Sequence, residues 1–130
     1  MGMRLLLDTH LLLWAAEGGR KIPKPLLKLI RDEDNPLIFS VASLWEIAIK
    51  AGLGRDDFRV DASAFRRQLL DNGYDELAIT GAHVAITSSL PALHRDPFDR
   101  LLVAQALTEG LTLLTVDPAL KGYPGSIMLG

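Results

Sequence analysis

Residues 4–16 read Arg4-Leu5-Leu6-Leu7-Asp8-Thr9-His10-Leu11-Leu12-Leu13-Trp14-Ala15-Ala16. A short apolar run that does not alternate, Arg4–Leu7, ends in an acid and reads as a buried strand. The strongly apolar Thr9–Ala16 follows at once and reads as a helix. It stops at Gly18-Gly19, where a left-handed cap is easy.

The remaining chain repeats this alternation. Pro23 or Pro25 opens a second helix to about Asp34. Leu37–Phe39 is a second strand. Ser40 and Ser43 are cap residues before a helix over Leu44–Ala51, which ends at Gly52 and Gly54. Asp61–Leu70 reads as a helix closed by Asn72-Gly73, and Leu77–Ile79 as a third strand. Ala82–Leu90 is helical up to Pro91. Asp96-Pro97 opens the clearest helix, Pro97–Glu109, closed by Gly110. Leu111–Val116 is a fourth strand, and Ser126–Leu129 fits a fifth. Short apolar strands separated by helices predict an α/β fold: a three-layer α/β/α sandwich around a short, mostly parallel sheet. Strand order is not legible at this level.

The chain has 130 residues, enough for a single domain over 1–130 with its own core. Cysteine is absent, which excludes disulfides and thiolate metal sites. No apolar run is long enough to span a membrane, and the start lacks the pattern of a secretory leader, so a cytoplasmic protein is expected. A net charge of −2 does not suit bulk attraction to nucleic acid, so any such binding needs local patches or bound cations. The mean hydropathy of +0.20 is high for so small a chain and points to apolar surface covered by a partner or a second copy.

Two acids follow strand ends, Asp8 and Asp117. Two others sit near helix starts, Glu46 in the first turn after the second strand and Asp99 in the first turn before the fourth. Ligands of open α/β sheets bind at the carboxyl edge of the strands, and crossover helices begin at that same edge. Topology therefore brings Asp8, Glu46, Asp99 and Asp117 to one rim. Each also has a plainer reading. Ser43 and Glu46 have capping-box spacing; Asp8 can cap the first helix; Asp96 caps the helix carrying Asp99; Asp117-Pro118 can open a turn. Together, however, four carboxylates on one rim repel unless protonated or neutralised by a cation. An all-oxygen site favours Mg²⁺ or Mn²⁺, ions that activate water against a phosphodiester. Thr9 and Thr115, each beside one of these acids in the chain, are candidates to hold carboxylates in place or simply to satisfy backbone groups.

Four segments, in order, resemble the PIN domain family from Arg4 to Leu129: Leu5-Leu6-Leu7-Asp8-Thr9-His10; Ser43-Leu44-Trp45-Glu46-Ile47-Ala48-Ile49-Lys50; Asp96-Pro97-Phe98-Asp99-Arg100; and Leu113-Leu114-Thr115-Val116-Asp117. Within that family the chain looks similar to VapC-type toxins. The resemblance implies a metal-dependent ribonuclease in which Asp8, Glu46 and Asp99 hold the ion and Asp117 completes or supports the site. It also implies a small antitoxin partner and a homodimer. The alternative is a PIN-like module that binds RNA or protein without catalysis.

Further residues carry two readings each. His10, His94 and Arg95 are substrate contacts or plain surface. Lys21, Lys24, Lys28 and Arg31, at three- and four-residue spacing, are a phosphate-binding stripe on one face of the second helix or a solvated face. His83, Trp14 and Trp45 read as packing residues. Other small α/β sandwiches fit poorly. Asp8 stands without the second acid of a receiver domain, Asp8-Thr9-His10 is not Asp-x-Asp, and no glycine-rich phosphate loop is present.

Overall fold

The computed structural model describes residues 2–54, 59–93 and 95–130. In chain order it contains β1 (Leu5–Leu7), α1 (Thr9–Ala16), α2 (Lys24–Arg31), β2 (Leu37–Ser40), α3 (Val41–Gly52), α4 (Ala62–Asp71), β3 (Asp75–Leu77), α5 (Gly81–Thr87), α6 (Pro97–Glu109), β4 (Thr112–Thr115), a 3-10 turn (Pro118–Leu120) and β5 (Ile127–Leu129). The strands form one sheet in the order β3-β2-β1-β4-β5, and every pairing is parallel.

The three layers follow from strand pleating. Successive side chains point to opposite faces. Leu5, Leu7, Phe39 and Leu114 join the apolar cluster that holds Leu11 and Leu12 of α1, Leu26 of α2, and Phe65 and Leu69 of α4. Leu6, Ile38 and Leu113 point the other way, into the cluster of Leu102, Val103 and Ala106 of α6. Helix α3 begins at the sheet edge and serves both, through Ile47 on one side and Ala42 on the other. Leu5, Leu6 and Leu7 are fully buried. Truncating any one to Ala would cost about 2–5 kcal/mol.

Helices α1 and α6 start and stop where their capping signals predict. Asp8 and Asp96 are the N-caps, and Gly110 closes α6 at φ 67°. Other boundaries differ from the sequence expectation. Helix α3 begins at Val41, three residues before Leu44, because Ser40 caps it by accepting from the Ala42 N–H. Helix α2 ends at Arg31, short of Asp34, so Lys21 lies in the preceding turn, outside the helix that carries the other three basic residues. Strand β3 is Asp75–Leu77, not Leu77–Ile79; it is the sheet edge, and its first two residues are exposed acids. An edge strand tolerates such charge, and the charge hides it from a search for apolar runs.

A buried polar network fixes α6 against β2 and α5. Gln105, fully buried, receives the Ser40 hydroxyl and donates to Ala78 O at 3.4 Å. His83, also buried, accepts the Thr80 N–H at 3.0 Å and lies 2.9 Å from Glu109. His83 is thus structural, as its apolar helix suggested.

Candidate active site

The chain leaves β1 towards β2 on one side, while β4 lies on the other. This is the point of an open parallel sheet where a crevice forms above the strand ends. Asp8 follows β1 and Asp117 stands two residues beyond β4, on either side of that crevice.

Asp8 is 4% exposed and both of its oxygens are engaged. Oδ1 accepts the Leu11 N–H at 2.8 Å, capping α1. Oδ2 accepts the Thr115 hydroxyl at 2.6 Å. Burial pushes its pKa above the usual carboxylate value, and the hydrogen bonds from Thr115 and Leu11 and the nearby His10 oppose that rise. The capping and site readings of Asp8 therefore coexist, one oxygen each.

Glu46 lies in the second turn of α3, not the first, since the helix begins at Val41. Its side chain still returns to the rim, because helical side chains slant towards the N-terminus. Oε1 is 2.8 Å from the Thr9 hydroxyl, which also lies 2.9 Å from Ser43 Oγ. One hydroxyl proton serves one acceptor, so Thr9 donates to the carboxylate and takes the Ser43 proton. Ser43 is thus a support for Thr9 rather than the cap of a Ser43–Glu46 box. Oε2 of Glu46 is 3.0 Å from Lys50 Nζ.

The remaining acids belong to α6 and the 3-10 turn. Asp96 Oδ1 accepts the Phe98 N–H at 2.9 Å, and Asp99 sits in the first turn behind it. Asp117 Oδ1 accepts the Ala119 N–H at 2.9 Å, and its own N–H donates to Thr115 Oγ1 at 3.1 Å. The two threonines act across the fold. Thr115, beside Asp117 in sequence, holds Asp8; Thr9, beside Asp8, holds Glu46.

Asp8, Glu46, Asp99 and Asp117 line one cavity of about 450 Å³, together with Asp96, Thr9, His10, Trp14 and Lys50. Among the described residues, no three His, Asp or Glu side chains stand close enough to share one ion. The donor set nonetheless suits a hard cation. Mg²⁺ keeps most of its waters and takes only one or two carboxylates, which this cavity offers from several directions.

Other residues singled out from the sequence lie elsewhere. Lys21, Lys24, Lys28 and Arg31 are exposed, and none lines the carboxylate cavity; Arg31 borders a different one, between α1, α2 and α4. Arg95 lines a third, between α5 and α6. His94 lies outside the described residues. Trp14, by contrast, lines the carboxylate cavity, half-buried beside His10 with ring centroids 6.0 Å apart, whereas Trp45 is 60% exposed. Lys50 is a charged cavity residue to which the sequence reading gave no role. Its signal was the four-residue spacing after Glu46, which places the two on one helix face.

Comparison with known proteins agrees with this architecture. By fold the chain is similar to VapBC2 from Rickettsia felis, a complex bound to a DNA fragment from its promoter (TM-score 0.72, 16% identity, 98% of each chain covered). It is also similar to VapBC-1 from nontypeable Haemophilus influenzae (TM-score 0.65, 15% identity, 98% of each chain). A toxin–antitoxin complex from Klebsiella pneumoniae is a third (TM-score 0.58, 19% identity, 95% of each chain). No curated protein matches. The model of the PIN domain family matches residues 5–125, a span that includes all four acids. The chain belongs to the PIN domain family.

Proposed function

We propose that this chain is a metal-dependent ribonuclease, a single-domain toxin of a VapBC-type toxin–antitoxin pair. The observation that carries the reading is the convergence of four carboxylates, from four separate segments, on one cavity at the β1/β4 crevice. PIN domains are generally nucleases, and a rim of buried and half-buried acids suits a nuclease that recruits a cation.

Asp8, Glu46 and Asp99 would hold a Mg²⁺ or Mn²⁺ ion, one or two of them directly and the rest through the ion's own waters, and Asp117 would complete or support the set. When bound, such an ion supplies a water of lowered pKa and neutralises charge on a phosphodiester. The chain's own residues prepare the place. Thr115 and the Leu11 N–H fix the Asp8 carboxylate, and Thr9 fixes Glu46, so neither acid must be reoriented at the moment of use. The Asp96 cap sets the start of α6 and with it the position of Asp99. Because the chain's net charge is −2, RNA approaches this acidic rim only once cations reduce its field.

The antitoxin partner rests on the fold neighbours, which are toxin–antitoxin complexes. The homodimer rests on two exposed apolar residues, Trp45 of α3 at 60% and Leu53 just beyond its end at 66%. No described helix is long and apolar enough to cross a membrane, and we place the protein in the cytoplasm. The test is cleavage of structured RNAs and matching DNA strands by the purified chain with Mg²⁺, with Mn²⁺ and with chelator. RNA cleavage that requires the ion is expected. Cleavage that survives thorough chelation, or none under any condition, rejects the reading.

A further inference from the structure

Asp8, Asp96 and Asp117 each accept a backbone N–H at a helix or turn start, and Asp99 sits in the first turn of α6. Glu46, in the second turn of α3, has no such terminus and is paired instead with an ammonium, Lys50 Nζ at 3.0 Å. Lys50 lines the same cavity as the acids. Among the described residues that line it, Lys50 is the one Lys or Arg side chain, set against five carboxyl side chains.

A solvated lysine four residues after a glutamate is an ordinary helix-surface pair. This pair differs because its halves are unequally exposed, the Glu46 side chain 10% and the Lys50 side chain 37%. Glu46 is fixed, its other oxygen held by Thr9 at 2.8 Å. Lys50 is a compact charge on a flexible stem with one end in water. Glu46 Oε2 would thus be open to a divalent ion only if the Lys50 ammonium moved off it. Lys50, on its flexible stem at the cavity wall, would then be free to meet a phosphate.

We propose that Lys50 is the resident counter-cation of the cavity. It neutralises Glu46 until a divalent ion takes the carboxylate, and then pairs with a backbone phosphate of the substrate. The proposal rests on the reading of the cavity as a metal-dependent ribonuclease site. No bond forms or breaks in the exchange; one ion pair is traded for two.

Two neutral variants, Lys50→Met and Lys50→Gln, test it on the full chain, with circular dichroism to confirm folding. Lys50→Arg keeps the charge as a control. Titration calorimetry with MnCl₂, without RNA, is the first readout. The neutral variants should bind Mn²⁺ about two- to five-fold more tightly than the original chain, the strength of a partly exposed ion pair, and Lys50→Arg should bind about equally. The second readout is steady-state cleavage of an RNA oligonucleotide. KM should rise several-fold in the neutral variants with a smaller change in kcat, and Lys50→Arg should restore it. If the original chain binds Mn²⁺ and the neutral variants bind it no more tightly, the counter-cation role is overturned. If KM does not move, the phosphate role is. If no protein binds Mn²⁺ and none cleaves RNA, the metal reading of the cavity fails and takes this inference with it.

Discussion

Replacing Asp8 with Asn separates the energetic roles of this residue. The carboxylate is 4% exposed, and burial raises its pKa, so at neutral pH the fold carries a charge that it would hold more comfortably as a neutral group. Asn is isosteric. Its Oδ1 can keep the Leu11 N–H bond seen at 2.8 Å, and Asn caps helices as well as Asp does. Its Nδ2 would take the place of Oδ2 and donate to Thr115 Oγ1, where the carboxylate now accepts at 2.6 Å. The hydroxyl proton of Thr115 must then turn elsewhere, a cost of roughly 1 kcal/mol, set against relief from the buried charge. The variant should melt at or above the original temperature at neutral pH.

Asp8→Ala shares the relief from the buried charge but keeps neither hydrogen bond. It loses the cap, about 1 kcal/mol, and leaves the buried Thr115 hydroxyl short of an acceptor, about 1–3 kcal/mol. At roughly 3–6 °C per kcal/mol for a chain of this size, Asp8→Ala should melt about 10 °C lower. Both variants should lose Mn²⁺-dependent RNA cleavage by at least about two orders of magnitude, because each removes a proposed ligand of the ion. Scanning calorimetry in chelator and single-turnover cleavage are the assays. An Asp8→Asn protein that melts as low as Asp8→Ala would refute the burial argument. One that still cleaves RNA at the original rate would refute the metal role.

Stability in chelator should also depend on pH through Asp8. Its folded pKa lies above its unfolded one, so between the two the folded chain binds more protons; this contribution therefore declines as pH rises through that window, and the penalty is full above it. Urea unfolding from about pH 4 to about pH 7 should show the difference between the original chain and Asp8→Asn widening with pH, and a flat difference would count against the raised pKa. Thr9→Val removes the hydroxyl that holds Glu46 and should weaken Mn²⁺ binding by about 10–100-fold in titration calorimetry while far-UV dichroism stays native. Arg100→Ala deletes guanidinium bonds to Thr87 O at 2.6 Å, Pro91 O at 2.8 Å and the Tyr123 hydroxyl at 3.0 Å, so urea denaturation should report a loss of about 2–3 kcal/mol, with Lys only partly restoring it.

Where local chemistry specifies an element, the sequence shows it. Asp8 and Asp96 announce α1 and α6, and Gly110 ends α6 in a left-handed turn. Strand β3 is hidden because an edge strand need not be apolar, and Asp75 and Glu76 face water. The start of α3 was obscured by a decoy. Ser43 and Glu46 have the spacing of a capping box, yet Ser40 is the cap, and Ser43 turns inward to Thr9. Asp8, Asp99 and Asp117 were legible because each follows a strand or lies at a helix start; Glu46 was placed on the rim by a first-turn position that it does not occupy, and it reaches the cavity from the second turn. Their supports were assigned only by chain proximity. That β1 lies beside β4, so that Thr115 reaches Asp8 across 107 residues, is a matter of strand order and leaves no local trace.

Capping and catalysis, which look like rival explanations of the acids in the sequence, have one physical origin in the fold. A parallel sheet covered by helices points the helix N-termini at the carboxyl edge of its strands, and each terminus presents unpaired N–H groups with partial positive charge. Asp8, Asp96 and Asp117 occupy such termini and accept those N–H groups. The same field that makes them good caps lowers their mutual repulsion, so the rim can collect acids before any ion arrives. A cap needs one carboxylate oxygen, and the other remains for a hydroxyl, a water or a cation. Glu46 tests this view. It lies a turn inside α3, beyond the terminus, and its carboxylate is met by a lysine and a threonine. If the field of the termini sustains the cluster, neutralising Lys50 should raise the charge cost at Glu46 alone, and the two perturbations Lys50→Met and Asp8→Asn should add in metal-free stability. Strong coupling between them would mean that the acids share one diffuse field rather than having separate local partners.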